Sequence, residues 1–378
     1  MPESKVRGKK PNVGTGQRCL LLLWPAAGLT LLLAVLREDF AELVFTRGIY
    51  PVYRKLLSFL PGLLPFSLGE FLLCALMIAL PIAIVLWCIH MIKERGRRKS
   101  VLVQGILNAL CALGLVLFLF VFGCGANYYR TPYAETVGLE VTKSTQEELH
   151  QMCLDLARQA AQLREQLSYC ETEEGVFALP YSLEALGDEA VKAMDALGRD
   201  VEVLAGNYAA PKQMFFSRVM SYFGITGVYS PFTGEANVNV DGPHYSIGSV
   251  MCHELSHTAG FMREDEANYL AYLACTRYGD AVLDYSGTML ALSYSANALN
   301  RASPALYAEV YACFTDAMLR DFAASAAYWD QFEDTVTREI GEQVNDAYLK
   351  ANNQASGTAS YGAMVDLLLA EYKARQTA

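Results

Sequence analysis

The residues with the strongest chemical potential in this chain are His253-Glu254-Leu255-Ser256-His257. On a helix, positions four apart project from one face about one turn from each other, so both imidazoles can reach a single metal ion. Glu254 then falls on the adjacent edge, where it can touch a metal-bound water without being a ligand. Zinc hydrolysis needs such a set: two neutral nitrogen donors, a third ligand, an open position for water and a carboxylate base. The competing reading is a surface helix carrying two unrelated histidines. Ser256 has no paired base of its own, so serine chemistry is not expected.

The third ligand is expected after a chain reversal, for which Gly260, three residues beyond His257, is a natural stop. Arg263-Glu264-Asp265-Glu266-Ala267-Asn268 then opens another helix with Ala267, Leu270, Ala271, Ala274 and Cys275 on its apolar face. Glu264 and Asn268 stand one turn apart on the opposite face. Glu264 is the expected third ligand, and Asn268 is expected to hydrogen-bond a ligand histidine from behind. Glu266, rotated by about 200° from Glu264, is the alternative ligand and is otherwise expected to be solvated. A Glu in a first helical turn can also merely complement the helix dipole. Arg263 can pair with Asp265 or contact substrate.

The elements that must position these groups are mostly helical. Thr145-Gln-Glu-Glu148 fits a capping box, followed by an amphipathic run from Leu149 to Leu167. A second amphipathic run spans about residues 182–197, and helical patterns resume near 246. Between them, Gly224–Val228 and Ala236–Val240 read as short strands. The latter, with Asn237 and Asn239, is a candidate edge for pairing with an extended peptide, a plain structural strand being the alternative. Tyr361, in Ser360-Tyr361-Gly362 between two helices, is a candidate donor to a tetrahedral oxyanion. With 22 Tyr in the chain, a packed aromatic is the competing role.

Composition points to a membrane. The 378 residues are 53% hydrophobic and only 19% charged, too apolar for disorder or for an ordinary cytosolic enzyme. The net charge of −10 is unevenly spread: residues 1–130 carry 15 Lys+Arg against 6 Asp+Glu, residues 131–378 carry 15 against 34. An acidic half lacks the concentrated basic face that phosphate binding needs, so nucleic acid is not an expected partner. Apolar runs at 19–36, 71–92 and 101–125 are long enough to span a bilayer. A signal peptide is the alternative for the first, but Arg37-Glu38-Asp39 is a poor cleavage context.

Lys5, Arg7, Lys9, Lys10 and Arg18, and the Lys93–Lys99 loop, place those two segments in the cytoplasm. The organisation expected is a basic tail (1–18), a membrane region (19–130) and an extracytoplasmic domain (131–378). Leu56–Leu68, broken by Pro61, Gly62 and Pro65, is too short to span and is expected to be interfacial or re-entrant. The ten cysteines form no disulfide framework, though one bridge, such as Cys153 with Cys170, is possible.

HExxH followed by Glu264-x-x-Ala267-Asn268 resembles the gluzincins, zinc peptidases whose third ligand is a Glu in an ExxA(D/N) helix. In that group the Glu usually lies much farther along the chain. The short HExxHxxG turn resembles metzincins instead, but their third His falls where this chain has Arg263. Over nearly its whole length the chain resembles domain-of-unknown-function family 3810: three spans, Pro65-Phe66-Ser67 before the second, Asn127-Tyr128-Tyr129-Arg130 after the third, then the HExxH with Glu-Asp-Glu-Ala-Asn.

The resemblance implies a membrane-anchored metallopeptidase without naming a substrate. The expected fold is thus three transmembrane helices followed by a mainly α (α+β) zincin-like domain with a small β-sheet. The expected activity is hydrolysis of protein or peptide substrates with one Zn²⁺ held by His253, His257 and Glu264. An intramembrane protease is disfavoured by Asp241 and the charged residues 263–266 around the motif. A non-catalytic zinc-dependent sensor or scaffold in the cell envelope is the alternative.

Overall fold

The computed structural model describes residues 14–206, 208–333, 335–352 and 361–377, with the backbone alone at 361, 362 and 377. The basic tail with Lys5, Arg7, Lys9 and Lys10 lies outside the described residues. Among the described residues, three helices are long and apolar enough to cross a membrane: Thr15–Leu36, with a break at Leu22, Leu68–Lys93 and Arg95–Gly123. They coincide with the three expected spans, within about two turns at the ends. Few of their side chains are buried, and those of the second are almost all exposed, as expected of helices whose apolar surface faces lipid rather than a protein core.

Between the first and second of these helices, the chain forms a helix over Tyr50–Gly62 instead of a further span. It is amphipathic: Leu56, Phe59 and Leu60 are exposed, while Tyr50, Arg54 and Pro61 are buried. Pro61 falls in its last turn.

The remainder is a helical domain around one apolar core. Thr145 caps the helix Gln146–Gln166 reciprocally with Glu148, as the capping box requires. That helix packs on Ala281–Ala302, and Leu183–Asp200 packs on the two helices at the centre, His244–Thr258 and Glu264–Tyr278. The first of these central helices carries the HExxH and is called the motif helix here; the second, carrying Glu264, is the ligand helix. The ligand helix is enclosed on nearly all sides, so Asp265, Glu266 and Asn268 are buried along with its alanines and leucines.

A three-stranded sheet lies against the motif helix in the order β1-β3-β2. Strand β1 is Lys212–Gln213, β2 is Gly227–Ser230 and β3 is Glu235–Val238. Strands β1 and β3 run parallel with Lys212 opposite Asn237, and β2 runs antiparallel to β3 with Val228 opposite Asn237. The strand expected to be an edge is therefore the central one. Asn237 donates to the carbonyls of Val228 and Glu235, and Asn239 donates to Ser221 Oγ and the Ile225 carbonyl. Both amides brace the sheet and its flanking loop, and neither strand edge of β3 is open to a peptide. All ten cysteines are free, including Cys153 and Cys170, so the possible bridge is absent.

Candidate metal centre

Local folding sets the first two groups. The motif helix ends at Thr258, and Gly260 takes φ +92°, a left-handed conformation that suits glycine. The Gly260 amide bonds back to the His257 carbonyl and the Phe261 amide to the Ser256 carbonyl. This reversal returns the Phe261 carbonyl to 2.7 Å from His257 Nδ1. A carbonyl can only accept, so Nδ1 carries the proton and Nε2 keeps its lone pair when the ring is neutral. Asn268 Oδ1 lies 2.9 Å from His253 Nδ1 and fixes the other ring in the same way. Asn268 thus occupies the supporting position expected of it.

The ligand helix begins at Glu264, directly opposite the two imidazoles. His253 Nε2 is 3.3 Å from Glu264 Oε2, and His257 Nε2 is 3.5 Å from Oε1. One ligand atom from each of the three residues can be chosen so that all lie within 4.8 Å of one another. Ligands bound tetrahedrally at about 2.0–2.1 Å from zinc stand about 3.3–3.4 Å apart, so the spacing and the N,N,O donor set both fit that ion.

The electrostatics agree with a cation-binding cluster. Burial works to raise the Glu264 carboxyl, but both imidazoles outweigh it and hold the group below the usual carboxylate range. Burial works to lower the His257 imidazole, and Glu264 outweighs it, carrying the group up to about 9. A carboxylate kept charged between two imidazoles offers a cation both negative charge and nitrogen lone pairs.

Glu254 is 3% exposed and stands beside this cluster without joining it. Its Oε2 is buried without a hydrogen-bond partner. Burial raises its carboxyl, opposed by His253 and His257. Gly227 of β2 makes room for it: a Cβ there would fall 2.4 Å from Glu254 Oε1. The free edge beside the site is thus that of β2, and nothing in the residue pattern of 224–228 singled it out beyond Gly227.

Glu266 does not reach the cluster. It is buried, not solvated as expected, because the ligand helix is enclosed and its carboxylate accepts the Tyr133 amide at 2.7 Å. Burial pushes its carboxyl up to about 7, despite opposing contributions from Arg263 and Arg130. Arg263 Nε lies 3.8 Å from Asp265 Oδ1, the pairing alternative for that side chain. The side chain of Tyr361 lies outside the described residues. The hydroxyls of two other phenols, Tyr128 and Tyr348, are 3.1 Å apart. Burial raises both, and the Glu264 charge contributes to each. Their separation by more than 200 residues hid that pairing from the sequence.

Groups from the membrane-proximal part complete the surroundings. Tyr50 and Arg54 donate to the Thr258 carbonyl, at 3.1 and 3.0 Å, and so satisfy the end of the motif helix. Arg130 is buried over the Phe261 ring, 3.7 Å from its centroid, on the residue whose carbonyl holds His257.

A family profile described as protein of unknown function (DUF3810) matches residues 45–369, and the chain belongs to that family. The match runs from before the Tyr50–Gly62 helix through the ligand helix and most of Tyr361–Thr377. No curated protein and no solved structure matches the chain.

Proposed function

We propose that the protein is a membrane-anchored, zinc-dependent metallopeptidase, with His253, His257 and Glu264 as the metal ligands and Glu254 as the general base. The observation that carries this reading is the convergence of those three side chains beside a buried carboxylate whose Oε2 has no protein partner. A purely structural site needs no such base, which weighs against a non-catalytic sensor or scaffold. When bound, Zn²⁺ supplies Lewis acidity, bringing the pKa of a water down to about 7 and polarising a carbonyl.

Glu254 accepts a proton from the water as its oxygen bonds to the peptide carbonyl carbon. The same carboxyl then delivers that proton to the amide nitrogen as the C–N bond breaks, leaving a carboxylate and an amine. Tyr128 and Tyr348 are candidate oxyanion donors alongside Tyr361. The basic Lys93–Lys99 loop lies at the far ends of the second and third helices from the domain, which supports a cytoplasmic loop and an extracytoplasmic site.

The test is zinc content per chain for the full-length protein in detergent micelles, with turnover of a peptide library measured alongside. Wild type is expected to hold about one zinc, with Glu264→Gln and His257→Ala losing it and Glu266→Gln keeping it. Glu254→Gln is expected to keep zinc and to lose turnover by about a hundredfold or more. A folded wild type that takes up no zinc on reconstitution would sink the proposal.

A further inference from the structure

The helices long enough to cross a bilayer do not merely tether this site. Two of them end on the sheet that flanks it. Glu235, the first residue of β3, accepts the Leu68 and Gly69 amides at 2.9 and 2.7 Å, capping the second helix at its start. In the first turn of that helix, Glu70 accepts the Phe215 and Phe216 amides at 2.9 and 2.8 Å. Lys212 of β1 donates to the Leu64 carbonyl just before it. The third helix ends at Gly123, whose carbonyl accepts the Tyr229 hydroxyl at 3.1 Å. A Cβ on Gly123 would lie 2.3 Å from the Pro231 carbonyl oxygen, so the turn joining β2 to β3 sits directly on that helix end.

These contacts fix the height of the site. Gly227, against Glu254, and Ser230, at the helix ends, are separated by about 10 Å of extended strand. The polar layer outside the hydrocarbon is about 5–8 Å thick on each side. The base therefore stands only a few ångströms beyond the headgroups, and the free edge of β2 leads down from it toward the lipid.

The surface at this level is apolar. Phe215 is 85% exposed and packs edge-on against Phe216, also exposed, at a centroid distance of 5.0 Å. With both amides held by the first turn of the second helix, these rings are at the depth where that helix meets lipid. Val219, Tyr222 and Phe232 extend the apolar surface around them.

We propose that the substrates of this site are anchored in the same bilayer, and that the bond cut lies a few residues outside it, in an extended segment that enters along β2 from the membrane side. The inference rests on the metallopeptidase reading. At about 3.3 Å per residue, an extended chain leaving the hydrocarbon at the helix ends covers the distance to Glu254 in about three residues. A short tether also holds the segment at an effective concentration on the order of millimolar, which falls as the tether lengthens.

The test uses full-length, zinc-loaded protein in phosphatidylcholine liposomes. Its substrates are a synthetic transmembrane helix joined to a randomised segment by Gly-Ser tethers of about 4 or about 40 residues, and the same segment without a helix. The short-tethered form is expected to be cleaved at least about tenfold faster than the other two, with all cleavage abolished by Glu254→Gln. Equal rates would overturn the inference while leaving the peptidase intact. No cleavage of any form by zinc-loaded protein would overturn both. A second measurement needs no turnover: fluorescence of Phe215→Trp in a Trp24→Phe, Trp87→Phe, Trp329→Phe background, which removes all three native tryptophans. Quenching by brominated phosphatidylcholine is expected, and fluorescence unaffected by the bromines would show that the sheet stands clear of the bilayer, overturning the inference even for an active enzyme.

Discussion

On the metallopeptidase reading, Asn268 governs a metal that it does not touch. Its Oδ1 holds His253 Nδ1 at 2.9 Å, while its Nδ2 is buried without a partner. The side chain is thus devoted to setting the imidazole's tautomer and orientation. Asn268→Ala leaves His253 free to rotate, and zinc affinity is expected to fall about 10–100-fold, read by competition with a chelator. Asn268→Asp, which keeps an acceptor at the same place, is expected to restore most of it; equal affinity in all three proteins would remove Asn268 from the site. Gly227 acts through the other essential group. The Cβ of Gly227→Ala would fall 2.4 Å from Glu254 Oε1 and 2.8 Å from Cγ, displacing the base and leaving the ligands alone. Turnover is expected to drop about a hundredfold with zinc content unchanged. A variant that loses zinc along with activity would show that the strand supports the ligands instead.

At the scale of elements, the ligand helix is held from outside by the helix Tyr361–Thr377. Glu371 accepts from Tyr269 and Arg277 of the ligand helix and from Arg375 of its own. Burial works to raise the Glu371 carboxyl, but these partners outweigh it and depress the group below its ordinary value. A carboxyl with a depressed folded pKa contributes stability that is fully present above its unfolded value, about 4.5. The contribution is lost as pH falls through the lower folded value. Hydrogen exchange in 361–377 is therefore expected to be unchanged, after correction for intrinsic rates, from pH 7 to about 5 and to accelerate below about 4.5. In Glu371→Gln that acid step should be missing, and its persistence would assign the transition to another group.

The contrast between this helix and the motif shows what local sequence can carry. HExxH, Gly260, Glu264 and Asn268 were legible because their relations are set by one helix period and one glycine reversal. Residues 145–166 were legible for the same reason, through capping and period. The strand order was not, because four-residue strands have no pattern that distinguishes a centre from an edge, and Asn237 and Asn239 read as exposed until their partners are known. Glu266 was misread as solvated since the ligand helix's own alternation cannot reveal that other elements cover its polar side.

At the scale of the whole molecule, the division into a membrane region and a domain beginning near residue 131 does not follow the contacts. The Thr258 carbonyl at the end of the motif helix is satisfied by Tyr50 and Arg54, from the helix between the first two apolar segments. Tyr229 of β2 bonds to Tyr50 and to the end of the third helix. Arg130 covers Phe261, and Glu235 would lose the two amides that it caps. A fragment of residues 131–378 would lose these bonds, each worth about 0.5–1.5 kcal/mol net, and would expose the apolar surface that the removed segment covers. Several such losses are comparable to the whole stability of a domain, roughly 5–15 kcal/mol. The fragment is therefore expected to unfold at much lower temperature than the full chain in detergent, and to lose zinc to a chelator that the full chain resists. Thermal unfolding and zinc retention measured side by side decide the point. A fragment with undiminished melting temperature and affinity would show that the apolar helices serve only as an anchor, and the close seating of the sheet on their ends would then have no bearing on how the site holds its shape.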